Sequence, residues 1–401
     1  MSRPPAGSRD VDVLFLGHDV TRTGAPLMLL YFLRWLREHT DLTFEVVVVD
    51  GGPLEADFAA VAPTTVLAEL PAGRLESVAR RAGLHGLAGR LHERTARRAL
   101  AGLGAAPLVY ANSISSVRVL PLLDGAPPDQ VVVTHVHEME GAFRAQDEAT
   151  LEILATRTDH FVAASDLVRR LVIDRLGVDP DRVVRHYEFI DVDAMVATPP
   201  DAAAVDAVRA SCGIPPDAAV VGAVGVAQWR KGPDLFVLLA QLVRRREHDR
   251  EIHFVWLGAD PAGDETVALV QDIERAGLAD RVHLVPPEPT PARWFALFDV
   301  YTLTSREDPF PLVCLESSLL GTPIVCFDNT GMAEFAGDGD CGFMVDYLDV
   351  EAMADRVMAL LDDAEERAAV GARAAARVRT EFDVEAAAPA LHRDLERWRT
   401  R

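Results

Sequence analysis

Apolar residues run along this chain in short, nearly unbroken blocks, separated by segments with helical spacing. VDVLFLG (11–17), FEVVVVD (44–50), PLVYAN (107–112), VVVTHVH (131–137) and HFVAAS (160–165) form one series. AVVGAVG (219–225), IHFVWLG (252–258), RVHLVP (281–286), DVYTLTS (299–305) and PIVCFD (323–328) form a second. Continuous blocks predict strands covered on both faces, as in parallel sheets; a half-solvated sheet would show alternation. Between them, Leu27, Leu30, Tyr31, Leu33 and Trp35 fall on one helical stripe. Strand–helix alternation predicts a doubly wound α/β architecture. The series breaks around 194–218, a stretch rich in Ala, Pro and Asp, which reads as the passage between two domains. This gives an N-terminal Rossmann-like domain over 1–195 and a second over 196–380. A C-terminal helix over 381–401 is expected to cross back to the first.

A length of 401 residues suits two or three domains, each with its own core. The net charge of −22 repels phosphate backbones, so nucleic acid is excluded as a partner. Cys212, Cys314, Cys326 and Cys341 show no CxxC spacing, and three sit in apolar surroundings; they read as free thiols in a reducing compartment, with no zinc site. The opening MSRPPAGSRD lacks an apolar signal core, and no apolar run approaches the ~20 residues of a membrane span. The expected location is cytoplasmic, with the inner membrane face as the alternative. That alternative rests on 73–100, read as one helix with seven arginines against Glu76 and Glu93. A solvated face is the simpler reading, and lipid headgroups or an acidic partner the other. Neither composition nor motif separates a monomer from a homodimer.

Several chemistries lack their motif. There is no GxGxxG after the first strand, no GxxxxGK[ST], no GxSxG and no HExxH. What remains is concentrated in 304–328, TSREDPFPLVCLESSLLGTPIVCFD. A strand ends near Ser305, a polar loop follows, and Pro311 is placed to begin a helix whose apolar stripe is Leu312, Leu315, Leu319 and Leu320. Gly321 and Pro323 end it. The helix N-terminus therefore lies at the carboxyl edge of a parallel sheet, where α/β proteins bind ligands. Its amides over Phe310, Pro311, Leu312 and Val313 suit an anion such as a diphosphate. Glu316, inside the helix, suits two ribose hydroxyls, and Asp308 a second polyol. Of the 40 basic residues, Lys231 is the one lysine. With Arg230 it falls in a strand-to-helix loop at the same edge, where two cations suit a diphosphate.

These residues resemble the retaining glycosyltransferases of family 4, the glycosyl transferases group 1, across nearly the whole chain. The match lies in the RKGxD loop (230–234) and the pattern around Asp308, Phe310, Leu312, Val313, Leu315 and Glu316. GHDVTRTGAPLMLL (17–30), THVHE (134–138), HFVAASDLVRRLV (160–172), EFIDVD (188–193) and TGMAEF (330–335) add to it. The resemblance implies the GT-B fold of two facing Rossmann-like domains. It implies a UDP- or GDP-linked sugar donor, no metal and no covalent cofactor. Donor phosphates would meet Gly24, Ala25, Arg230, Lys231 and the helix start, with Glu316 on the ribose and Asp308 on the sugar. His137 would contact the sugar from the N-terminal domain, and Asn112 would line the acceptor cleft. The acceptor that the resemblance implies would be a sugar, lipid or natural product. Three departures stand out: aspartate at 308 where the family usually has glutamate, Val226 where many members have arginine, and Glu188-Phe189 in place of Asn-Gly. A sugar-nucleotide epimerase, a transferase that couples a non-sugar cyclitol donor and a non-catalytic sugar-nucleotide binder are the rival readings.

Overall fold

Each apolar block forms a strand, trimmed by at most two residues at either end. The structure is a computed structural model that describes residues 11–247 and 250–400, apart from the side chains of Arg74 and Arg80. The opening segment read above for a signal core lies outside the described residues. Two compact units emerge: one of residues up to Ala164, Val168–His186 and from Ala388 onward, the other of Ser165–Leu167 and Tyr187–Ala387. The first division thus falls at 186/187, not 195/196. Ile190 explains the difference: its backbone bonds to Phe382 and Val384, which ties the 187–193 segment to the second unit.

The first unit holds β1 (Val13–Gly17), β2 (Phe44–Val48), β3 (Thr64–Val66), β4 (Leu108–Ala111), β5 (Val131–Val136), β6 (His160–Ala163) and β7 (Val183–Arg185). Their order in the sheet is β3-β2-β1-β4-β5-β6-β7, with every described pair parallel. The second unit holds β8 (Ala219–Val224), β9 (Ile252–Leu257), β10 (Val282–Val285), β11 (Val300–Leu303), β12 (Ile324–Phe327) and β13 (Gly342–Val345). Their order is β10-β9-β8-β11-β12-β13, again parallel throughout the described pairs. In each sheet the winding reverses beside the first strand, between β1 and β4 and between β8 and β11. Loops leaving those strands diverge to opposite faces and open a crevice at their carboxyl ends. The three strands that the apolar blocks did not predict, β3, β7 and β13, are three or four residues long and lie at sheet edges.

Three helices of the first unit matter below: α1 (Gly24–His39), α2 (Arg74–Arg81) and α3 (His85–Ala99). The single helix expected over 73–100 is therefore two. Gly83, at φ 71°, makes the break in a conformation that L side chains rarely adopt. In the second unit, α4 (Pro233–Arg246) follows β8, α5 (Leu312–Leu319) follows β11 and α6 (Val384–Arg399) ends the chain; α6 passes from the second unit into the first at Ala388. Phe236, Phe254, Trp256 and Val357 centre the core of the second unit, and Leu16, Val109, Phe161 and Val172 that of the first. Among the described residues no helix is long and apolar enough to cross a membrane. All four cysteines are free, and Cys314, Cys326 and Cys341 are buried.

One pair on the second sheet sets an acid limit on stability. His253 on β9 and His283 on β10 share a 2.9 Å hydrogen bond and stack 5.2 Å apart. Burial, and then the neighbouring His253, push His283 down to about 4. An unfolded chain takes up that proton near pH 6.5 and the folded chain only near 4, so stability falls as pH drops through this window. His283→Gln is expected to flatten the fall by on the order of 1–2 kcal/mol, read from urea unfolding at pH 7 and pH 5.

Candidate functional site

In the second unit the crevice is bounded by the loops after β8 and β11. The first loop runs from Gly225 to Gly232 and carries Trp229, Arg230 and Lys231 in a short 3-10 turn before α4. The second runs from Thr304 to Pro311 and carries Ser305, Arg306 and Asp308 into α5. They are stitched together. Arg230 presents its carbonyl to the amides of Arg306 (2.7 Å) and Glu307 (3.2 Å), and Thr304 donates its hydroxyl to the Gly232 carbonyl at 3.0 Å. Gly232 has φ 68°, and a Cβ there would lie 2.1 Å from the Thr304 carbonyl oxygen. Gly232→Ala is thus expected to push the two loops apart, costing about 2 kcal/mol or more of stability. Thermal melting would read the loss.

Stitching the loops brings Lys231 onto Asp308. Nζ lies 2.6 Å from Oδ2, and the Ser305 hydroxyl donates to the same oxygen at 2.9 Å. The side chains are 12% and 4% exposed, so the pair is largely out of water. Each charge there depends on the other, because an isolated buried ion is costly. Nζ keeps two further donors for a ligand. Asp308 uses one oxygen for both bonds; its Oδ1 has no partner among the described residues. Arg230 is exposed and has no ion-pair partner among the described residues.

Pro311 caps α5 with extended backbone (ψ 124°), one residue earlier than the first-turn position expected for it; the first helical residue is Leu312. The first-turn amides of Leu312 and Val313 have no acceptor among the described residues, leaving them for an anion. What this segment offers a ligand is backbone. The Phe310 ring is buried and stacks on Tyr187 (4.9 Å) and Phe382 (5.5 Å), and Leu312 is also buried. One turn on, Glu316 is partly buried and has no hydrogen-bond or ion-pair partner among the described residues. Burial alone pushes its carboxyl up to about 7. An acid held inside a leucine-lined helix with no cation nearby is a destabilising feature, which is typical of a group kept for a ligand. Glu334, in the TGMAEF loop, is already committed: its carboxylate accepts from the amides of Asp166 and Leu167 at 3.0 and 2.9 Å.

The first unit brings three of the expected residues together at its own carboxyl edge. The Asn112 amide nitrogen donates to the Ala25 carbonyl at 2.9 Å. Its oxygen must therefore face Nε2 of His137, 3.0 Å away, and Nε2 carries a proton. His135 stands behind, its ring 3.8 Å from that of His137 and its Nδ1 2.7 Å from the Tyr110 hydroxyl. Full burial, and then the nearness of His137, hold His135 well below its ordinary range, so it is neutral. Gly24 begins α1, and nothing lies within 4 Å of where its Cβ would be.

Three comparisons bear on this geometry. Residues 205–377 match the family described as Glycosyl transferases group 1. Curated relatives include the D-inositol 3-phosphate glycosyltransferase of Paenarthrobacter aurescens, 31% identical over 279 residues, or 69% of this chain and 64% of that protein. The protein of the same name from Arthrobacter sp. is 31% identical over 284 residues, 69% of this chain and 62% of that one. The chain thus aligns with just under two thirds of these relatives' length. Among solved structures, Anabaena HepE in complex with UDP superposes with a TM-score of 0.75 at 19% identity, covering 96% of this chain and 100% of that one. Sucrose-phosphate synthase of Thermosynechococcus elongatus gives 0.71 at 18% identity, covering 96% and 98%. The fold is GT-B.

Within this GT-B chain some functional-edge residues had escaped sequence reading. Arg306 grips Asp234 with two bonds of 2.8 and 2.7 Å and lies 5.3 Å above the Trp229 ring. The Arg306 bonds are the main cause that holds the Asp234 carboxyl below its ordinary range. The pair locks the loop that presents Lys231. An arginine and an aspartate 72 positions apart carry no local signal of pairing. In the first unit, His18 follows β1, and a cavity of about 480 Å³ opens where β2 and β3 end, lined by Asp50, Leu67, His92, Glu93, Arg118 and Leu122 among others. Its lining comes from four separate segments, none with a motif.

Proposed function

We propose that this chain transfers a sugar from a nucleoside-diphosphate sugar to an acceptor hydroxyl, with retention of anomeric configuration and without a metal. The observation that carries the reading is the second-unit crevice: Lys231, Arg230 and the open amides of α5 offer positive charge, and Glu316 offers a carboxylate one helical turn away. A diphosphate would lie on the Lys231 ammonium and the amides of Leu312 and Val313, with Glu316 accepting two ribose hydroxyls. Charge that develops on the departing phosphate meets donors already in place, which lowers the barrier without reorganisation. Asp308, held by Lys231 and Ser305, offers Oδ1 to a sugar hydroxyl. The acceptor attacks from the face the nucleotide leaves, and a departing phosphate oxygen takes its proton, so no protein nucleophile is needed. UDP is favoured as the carrier by the fold neighbour solved with it.

The acceptor side belongs to the first unit. His137 and Asn112 stand at the ends of β5 and β4, and the 480 Å³ cavity is large enough for a polyol. Arg118 brings a cation to its lining, and the relatives' shared name makes a cyclitol phosphate the first acceptor to try. The test is incubation with UDP-sugars and GDP-sugars, with and without a polyol phosphate, in excess EDTA, followed by proton NMR. The expected product is an α-linked glycoside from an α-linked donor, formed only with acceptor. Donor isomerisation without acceptor would point to an epimerase, and turnover only after divalent metal is restored would refute metal independence.

A further inference from the structure

The hairpin of α2 and α3 in the first unit carries a surface that the transfer reaction does not use. Leu75 and Val78 on α2 are 73% and 61% exposed, and Leu84 and Leu87, at the turn and on α3, are 54% and 50% exposed. Leu75 and Val78, spaced i,i+3, lie on one face of α2, and Leu84, the residue that caps α3, stands three positions before Leu87. Four large apolar side chains exposed within 13 residues go beyond the scattered exposure common on soluble surfaces. The charge around them is opposite to that of the rest of the chain. Arg81, Arg90, Arg94 and Arg98 are exposed and have no acidic partner among the described residues. The hairpin's two acids are withdrawn: Glu76 is buried, 3.4 Å from the His92 ring, and Glu93 pairs with Arg97 at 2.9 Å. A protein of net charge −22 therefore presents a locally positive, leucine-tipped face.

We infer that this hairpin docks on an anionic lipid surface, its leucines and valine entering the headgroup region and its arginines meeting lipid phosphates. Exposed leucines alone would suit many partners; the uncompensated arginines around them select an anionic one. A bilayer offers both chemistries in one plane, and arginine stems lie along the apolar boundary while their heads stay in water. A second copy related by a two-fold axis would set like charges against each other, which disfavours it as the occupant. The inference does not depend on the sugar-transfer reading: His92 and Glu93 of α3 line the first-unit cavity, but none of the four exposed apolar residues and none of Arg81, Arg90, Arg94 and Arg98 does.

The test uses the full chain in flotation with vesicles of equimolar phosphatidylglycerol and phosphatidylcholine, and with vesicles of phosphatidylcholine alone. Binding is expected only to the anionic vesicles and is expected to weaken as salt rises. Arg90→Glu with Arg94→Glu should reduce it about tenfold or more. Leu84→Ser with Leu87→Ser should reduce it comparably. Both double variants should keep the wild-type melting temperature, which shows that they fold. Absence of binding to anionic vesicles, or binding indifferent to both double variants, would overturn the inference. So would a concentration-dependent dimer that Leu84→Ser with Leu87→Ser dissolves, since the face would then belong to a second copy.

Discussion

Lys231→Ala is expected to lower kcat/KM by about 10²–10³, the scale for removing one preorganised charge from a developing anion. The same change strips Asp308 of its cation, and a carboxylate only 4% exposed then sits largely out of water with one hydroxyl for company. Breaking a buried pair from one side typically costs about 3–5 kcal/mol, so stability should fall too. The two effects are separable. In Lys231→Met combined with Asp308→Asn the orphaned charge is gone, and a neutral side chain still accepts the Ser305 hydroxyl. Stability should largely return while activity stays at or below the Lys231→Ala level, since Asp308 also serves the sugar. Urea unfolding of Lys231→Ala and the double variant, beside steady-state kinetics, reads both. If activity recovers together with stability, Lys231 is a structural partner of Asp308 and does not touch the leaving group.

Glu316→Gln is expected to move stability and binding in opposite directions. The folded protein holds this carboxyl near 7, against an ordinary value of 4.5. Its folded pKa is raised, so the unfolded chain gives up the proton first. The folded state loses stability as pH rises from about 4.5, and the full cost is present above about 7. Glutamine removes the ionisation, so at pH 8 the variant should be more stable by on the order of 1–3 kcal/mol, and at pH 4.5 indistinguishable. Nucleotide affinity should fall about 10–100-fold, because two hydroxyls lose a charged acceptor. In the wild type, affinity should rise with pH through about 7, since the ionised form is the acceptor. The variant should show no such rise. Denaturation at the two pH values and calorimetric titration of UDP across the same range check each part. A variant destabilised at pH 8 would make Glu316 a structural residue.

How far these sites were legible depended on whether the deciding contact was local. α5 shows this well: its leucine stripe, the closing Gly321 (φ 88°) and an acid with no structural reason to be there are all local features. Lys231 and Asp308 were each picked out for their position at a strand's carboxyl end, but their pairing was not foreseen. It is set by the two loops meeting, 77 residues apart in sequence. The same limit hid the Arg306–Asp234 clamp and the first-unit cavity. Strand prediction failed at three short edge strands, and in two of them burial was weak, whereas β13, GFMV, is largely buried and was missed for its four-residue length. β3, TTV at the sheet margin, and β7, ending in exposed Arg185, lack the unbroken apolar run that marks a strand covered on both faces. The hairpin at Gly83 was misread as one helix because a glycine inside a helical pattern leaves the periodicity intact while it permits the turn.

The central claim is that the carboxyl edge between β8 and β11 is a nucleoside-diphosphate site held by protein charge. Its most direct test is calorimetric titration of the purified chain with UDP and GDP in the presence of EDTA, repeated on Lys231→Ala and Glu316→Ala. The expected result is saturable binding of one nucleotide, UDP before GDP, that survives EDTA and is lost or weakened at least tenfold in both variants. Absence of nucleotide binding, binding that requires a divalent cation, or binding indifferent to both substitutions would contradict it.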